Sequence, residues 1–169
     1  MRIAIIDANI FIDLYYLGWL PYLLSLDLEI YTTNYVLDEL NKEQVTGLSI
    51  LREQNHLVVC DLSDSQTISL SESDYPRRLS DADKSVLWCV QLLPGTPIVL
   101  SGDKSMRIWC ENHQIEVQGI LWMFDQMLLS DILSPTDTHD ALLFLMRLNP
   151  QLPSQACKEK LEIWAREFS

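Results

Sequence analysis

Four acidic residues stand where a chain can gather them for chemistry. Asp7 directly follows the apolar run RIAII, and Glu39 lies in the helical segment just after LEIYTT. Asp83 falls in the first turn of a helix opened by Ser80, and Asp103 follows IVLS. In an open parallel sheet, ligands bind beyond the carboxyl ends of the strands. Acids far apart in sequence can therefore converge at one end of such a sheet. Converging carboxylates repel one another unless something positive sits among them. Hard oxygen ligands suit Mg²⁺ or Mn²⁺, and one or two such ions can activate water and stabilise the leaving oxygen of a phosphodiester. Each acid also has a purely structural role open to it. Ser80-Asp81-Ala82-Asp83 has the form of a capping box, Asp103 is a good helix N-cap, and Glu39 suits a solvated helix face. Asp7 is the hardest to explain in that way, because a charge directly after AII lies near buried surface.

The elements that must position these acids alternate. Residues 2–6 read as a buried strand ending at Asp7. Asn9 is expected to cap a helix running to about Leu17, which Gly18 stops. A second helical piece, 19–26, is opened by Pro21. LEIYTT (28–33) is the next strand, followed by helical spacing at Val36, Leu37 and Leu40. A helix over 43–54 precedes a third strand, HLVVCDL (56–62). Residues 63–78, rich in Ser and Asp, read as a loop with at most one short helix. The helix from Asp81 to Leu93, a turn at PGTP, a strand IVLS (98–101), a helix capped by Asp103 and a strand IEVQG (115–119) follow. Three helical pieces, 119–130, 138–148 and about 153–167, close the chain. Strands alternating with helices predict an α/β fold with a parallel sheet.

Composition narrows the function classes. The chain has 169 residues, 48% of them hydrophobic, which suits one domain with a substantial core. No apolar run approaches the roughly 20 residues needed to cross a bilayer, and Asp7 and Asp13 interrupt the N-terminal apolar stretch, unlike a signal peptide. A cytoplasmic protein is expected. Cys60, Cys89, Cys110 and Cys157 show no zinc-ligand spacing and read as buried free thiols. The net charge of −12 is awkward for a phosphate-binding protein. Either some acids form a cation site, or the protein pairs with a basic partner.

The quoted segments resemble those of PIN domains, metal-dependent nucleases that include the toxins of VapC-type toxin–antitoxin pairs. IIDANIFIDL resembles the family's opening strand, with its Asp and following Asn. TTNYVLDEL resembles the segment that carries the family Glu, here Glu39. LSDADKSVLWCV resembles the third segment, whose acid four positions after Leu is the ligand, here Asp83, with Asp81 as an extra acid. VLSGDKSMRIWCENHQIEVQG resembles the fourth, with a hydroxyl two before the final Asp: Ser101 and Asp103. The match runs over about residues 3–125 in the right order.

The resemblance implies a three-layer α/β fold with a mainly parallel sheet of about five strands. It implies a single PIN-like unit over 1–169, with a core of about 1–130 and a helical extension over 131–169. The implied activity is metal-dependent endoribonuclease, with Asp7, Glu39, Asp83 and Asp103 holding Mg²⁺ or Mn²⁺, and with Asn9, Ser101 and Asp81 supporting them. Often it implies a homodimer and, in toxin members, an antitoxin that blocks the site. Arg77, Arg78, Lys84, Lys104 and Arg107 flank two acidic segments and are the candidates for RNA phosphates. Trp19, Trp88, Trp109, Trp122 and Trp164 could stack on bases, but they fall mostly on apolar helical faces and are expected in the core or at an interface. One alternative is a PIN fold kept as a binding module with weak catalysis. Two other acid-pocket α/β proteins fit worse: a receiver would want adjacent acids after the first strand, and a haloacid-dehalogenase-like phosphatase would want DxD where the chain has Asp7-Ala8-Asn9.

Overall fold

The computed structural model describes residues 1–66 and 74–167. Five strands form one parallel sheet in the order β3-β2-β1-β4-β5: β1 (Arg2–Ile6), β2 (Leu28–Thr33), β3 (Leu57–Cys60), β4 (Ile98–Leu100) and β5 (Val117–Gln118). β1 is central, with Ile5 opposite Tyr31 of β2 on one side and Val99 of β4 on the other. Its inner residues Ala4, Ile5 and Ile6 have no exposure, as a parallel strand covered on both faces requires. Helices flank the sheet, as the sequence pattern predicts.

Local chemistry explains most element ends. α1 (Ala8–Leu17) stops at Gly18, which takes φ +71°, a left-handed conformation that costs glycine little. Its cap differs from the sequence expectation. Asp7, not Asn9, is the N-cap, its carboxylate accepting from the Ala8 N–H, while Asn9 sits inside the first turn. The capping position is set by where β1 ends, and the Asp7 N–H still bonds the Leu100 carbonyl at 3.0 Å as part of the sheet. A 3₁₀ helix, Leu20–Ser25, follows with Pro21 in its first turn. Thr33 caps α2 (Asn34–Glu39).

The single helix expected over 43–54 is two short ones, α3 (Lys42–Gly47) and α4 (Ser49–Glu53), joined at the fully buried Leu48. A capping box of Asn41 and Gln44 starts the first of them. The expected loop at 63–78 includes 67–73, which lie outside the described residues. α5 (Asp81–Leu92) opens with the Ser80–Asp83 capping box, and α6 (Lys104–Asn112) is capped by Asp103. The chain ends in α7 (Ile120–Leu129), α8 (Pro135–Leu148) and α9 (Ser154–Glu167). α8 starts earlier than the periodicity predicts, because Ser134 caps it and Pro135 suits a first helical turn.

The C-terminal helices pack into the core. Trp164 is 4% exposed and stacks on Phe124 of α7, whose ring also meets Trp19 at 4.5 Å. Trp19 and Trp164 are thus core residues, while Trp88, Trp109 and Trp122 are only half-buried. The four cysteines are free, but they are not all isolated: the Sγ atoms of Cys60 (β3) and Cys89 (α5) lie 2.7 Å apart. Sequence spacing gives no hint of that pair, since parallel crossover alone brings β3 beside α5.

Candidate active site at the carboxyl edge of the sheet

Asp7 sits at the end of the central strand and is 2% exposed. Its Oδ1 accepts from the Ala8 N–H at 2.8 Å, and its Oδ2 accepts from the Ser101 hydroxyl at 2.8 Å and the Asn9 amide at 3.4 Å. Ser101 is fully buried at the end of the neighbouring strand, and its oxygen also accepts from the Asp103 N–H at 3.1 Å. Asn9 turns its other side to the same loop, accepting from the Gly102 N–H at 3.0 Å. Asn9 and Ser101 thus join the end of β1 to the β4–α6 loop around the Asp7 carboxylate.

A second set of hydroxyls joins the remaining acids. Thr33, the last residue of β2, caps α2 and contacts the buried Ser85 hydroxyl of α5 at 2.6 Å. That contact holds the helix carrying Glu39 against the helix carrying Asp83. Ser80 accepts from the Asp83 N–H at 3.1 Å, and its hydroxyl also opposes the rise of the Glu39 carboxyl, which puts it near both acids. Thr32 donates to the Ile6 carbonyl at 2.9 Å, just before Asp7. Thr33, Ser80 and Ser85 have no place in the sequence reading of the site. The available signal was two hydroxyls at a strand end followed by a helix, which is too common to be informative alone.

The four acids feel one another. Burial pushes the Asp7 carboxyl up to about 7, with the negative charges of Asp83 and Glu39 adding to the effect and the Ser101 and Ala8 donors opposing it. Glu39 and Asp83 are also raised, each mainly by desolvation, Glu39 further by Asp83 and Asp83 further by Asp103. Asp81 is exposed in the first turn of α5.

Residues 3–164 match the family model of a PIN domain. The chain belongs to the PIN-domain family. No curated protein matches the sequence. PIN domains are generally nucleases that use divalent metal ions, so the sheet edge just described is where a PIN-domain chemistry would be sought. Among the described residues, no three His, Cys, Asp or Glu side chains stand close enough to hold a metal ion as they are. The capping bonds explain this. Asp83 Oδ2 accepts from the Ser80 N–H and Asp103 Oδ1 from the Met106 N–H, so each carboxylate leans on its own helix end. The donor set is nevertheless entirely hard oxygen, and Asp83 and Asp103 each keep one oxygen outside the cap, so its chemistry suits a divalent cation.

The basic candidates divide. Lys104 and Arg107 of α6 line a cavity beside Asn9 and Gly102. Arg107 donates to the Val117 carbonyl at 3.4 Å. Arg77 and Arg78 are exposed, Lys84 is half-buried, and none of the three lines that cavity. Among the described residues no helix is long and apolar enough to cross a membrane.

Proposed function

We propose that the protein is a divalent-metal-dependent endoribonuclease in which Asp7, Glu39, Asp83 and Asp103 hold Mg²⁺ or Mn²⁺. The observation that carries this reading is the chain of mutual repulsion among four acids brought from four separate segments to one edge of a parallel sheet. Structural roles account for Asp7, Asp83 and Asp103 as caps, but not for the burial of Asp7 beside two other acids, an arrangement unfavourable without a cation. When bound, the ion supplies Lewis acidity and a nucleophile near neutral pH for phosphodiester hydrolysis. The chain's own residues set the geometry. Ser101 and the Ala8 N–H orient Asp7, Ser80 holds Glu39 and Asp83 in register, and Lys104 and Arg107 offer positive charge to the RNA backbone beside the acids. Asn9 ties the Asp7 carboxylate to the loop that carries Asp103.

The whole chain, 1–169, is read as one PIN-like unit including its C-terminal helices. The VapC-like segments support a toxin whose site an antitoxin blocks, and the −12 charge suits a basic partner of that kind; a homodimer is the further assembly that the resemblance implies. The decisive experiment is cleavage of a labelled, mixed-sequence RNA by purified protein with Mn²⁺, beside EDTA, Asp7→Asn and Asp83→Asn controls. Cleavage that needs metal and is lost in both variants is the expected result. Metal binding without cleavage of any RNA would favour the alternative, a PIN fold kept as a binding module.

A further inference from the structure

We propose that the cavity between α1, α7 and the C-terminal helix pair is a nucleobase pocket that sets which nucleotide of a single-stranded RNA lies beside the acids. The proposal rests on the ribonuclease reading for the identity of its occupant. The cavity holds about 660 Å³, within the usual range for a small-ligand site. It is continuous with the acidic edge, because Asn9 and Gly102, which bond each other beside Asp7, form part of its rim.

Three features of its lining match the face of a base, the edge of a base and a phosphate. Leu121, Trp122, Leu152 and Pro153 provide an apolar slot, and every base offers a π-face to such surfaces. Lys104 and Arg107 stand on the side toward the acids, where a phosphate would enter, in a chain otherwise strongly negative. Deeper in, Asp13 is 6% exposed and its two carboxylate oxygens accept from the Asn149 amide at 3.1 and 3.4 Å. One amide nitrogen serving both oxygens leaves most of the carboxylate's roughly four acceptor positions unfilled. A buried acceptor of that kind suits a base edge carrying amino hydrogens, so adenine, cytosine or guanine, and disfavours uracil, whose N3–H is flanked by two carbonyl oxygens.

The pocket also gives the C-terminal extension a task. Asn149, Leu152 and Pro153 lie between α8 and α9, and Lys160 of α9 reaches the cavity while paired with Asp125 of α7. Without residues after about 130 the slot would be open on one side and Asp13 would lose its hydrogen-bond partner.

The test is titration of the isotope-labelled full-length protein, in EDTA, with each of the four nucleoside 5′-monophosphates, followed by amide shifts of Gly119, Leu121, Asn149 and Leu152. Saturable shifts at these positions are expected with AMP, CMP and GMP, and weaker binding with UMP. Trp122→Ala is expected to weaken binding roughly tenfold with Trp122→Phe restoring most of it, and Asp13→Asn to remove the discrimination against UMP while keeping the native amide spectrum. The same pocket predicts that metal-dependent cleavage of a random RNA is depleted at one position next to the cut for uridine, and that Asp13→Asn erases the depletion. Shifts absent from these residues, or equal affinity for all four nucleotides, would overturn the pocket even if cleavage is robust. Nucleotide binding with the stated preference would support it even if no RNA is cut, and only the nuclease reading would then fall.

Discussion

Asp7 and Asp13 are carboxylates at the start and middle of one helix, almost equally buried, yet their surroundings are opposite. Asp7 has three hydrogen-bond donors and two acidic neighbours that raise it. Asp13 is raised by burial alone, to about 6, and is answered only by the neutral amide of Asn149. The contrast shows that burial by itself does not assign a role. A buried acid among other acids is unfavourable until a cation arrives, whereas a buried acid facing a neutral donor is a hydrogen-bonding group that needs no cation.

The sharpest way to break this comparison is to neutralise each carboxylate in turn. Asp7→Asn keeps the shape and the Ser101 bond but removes the charge. Metal-dependent RNA cleavage is expected to drop by at least about a hundredfold, while thermal unfolding in EDTA shifts upward because the repulsion is relieved. If cleavage by a clean preparation of this variant were undiminished, Asp7 would be no different in kind from Asp13.

The wall that distinguishes the second region depends on α9. Trp164→Ala removes a core side chain stacked on Phe124 and is expected to destabilise the whole chain by about 3–5 kcal/mol, read as a chemical-denaturation midpoint. Independent unfolding of the tail, with the rest of the chain unaffected, would show that the cavity wall is only loosely attached.

Ser101→Ala acts on Asp7 indirectly. It deletes the hydroxyl that donates to Oδ2 and accepts from Asp103, so metal affinity measured by calorimetry should fall roughly 10–100-fold. An unchanged affinity would mean that the hydroxyl only fills space at the strand end.

Asp13→Asn should have an effect on stability that depends on pH. The folded-state value of Asp13 lies at about 6 against an ordinary 3.8. A raised carboxyl binds its proton more tightly in the folded state, so this group favours folding below about pH 4 and loses that contribution as pH rises to about 6. The variant should therefore match the wild type near pH 4 and exceed it above pH 6, by up to about 3 kcal/mol. Thermal melts between pH 4 and 8 in EDTA measure this. A difference independent of pH would show that Asp13 titrates alike in the folded and unfolded chain, so that its burial carries no electrostatic cost.

Strand and helix order was legible because the apolar runs that make buried parallel strands are short, continuous and bounded by turn residues. RIAII, LEIYTT and IVLS could only be strands, and the acids that follow them could only lie at their carboxyl ends. The helix expected over 43–54 failed because its periodicity survives the break at Leu48, a residue buried between two short turns and not a helix breaker by type. Asn9 looks like the cap in sequence because Asp7 ends the strand, and in the structure one residue serves both. The half-burial of Trp88, Trp109 and Trp122 was invisible for a different reason: an apolar helical face does not say whether another element covers it.

What the sequence alone determined was the alternation of elements and the acidic residue at or just beyond each of three strand ends, because these follow from local hydrophobic period and chain order. What only the tertiary structure decided was which groups meet across it: Thr33 with Ser85, Cys60 with Cys89, and Asp13 with Asn149, residues separated by long stretches of chain. Such pairs depend on how helices settle on the sheet, and side-chain packing, unlike strand register, leaves no periodic trace in the sequence.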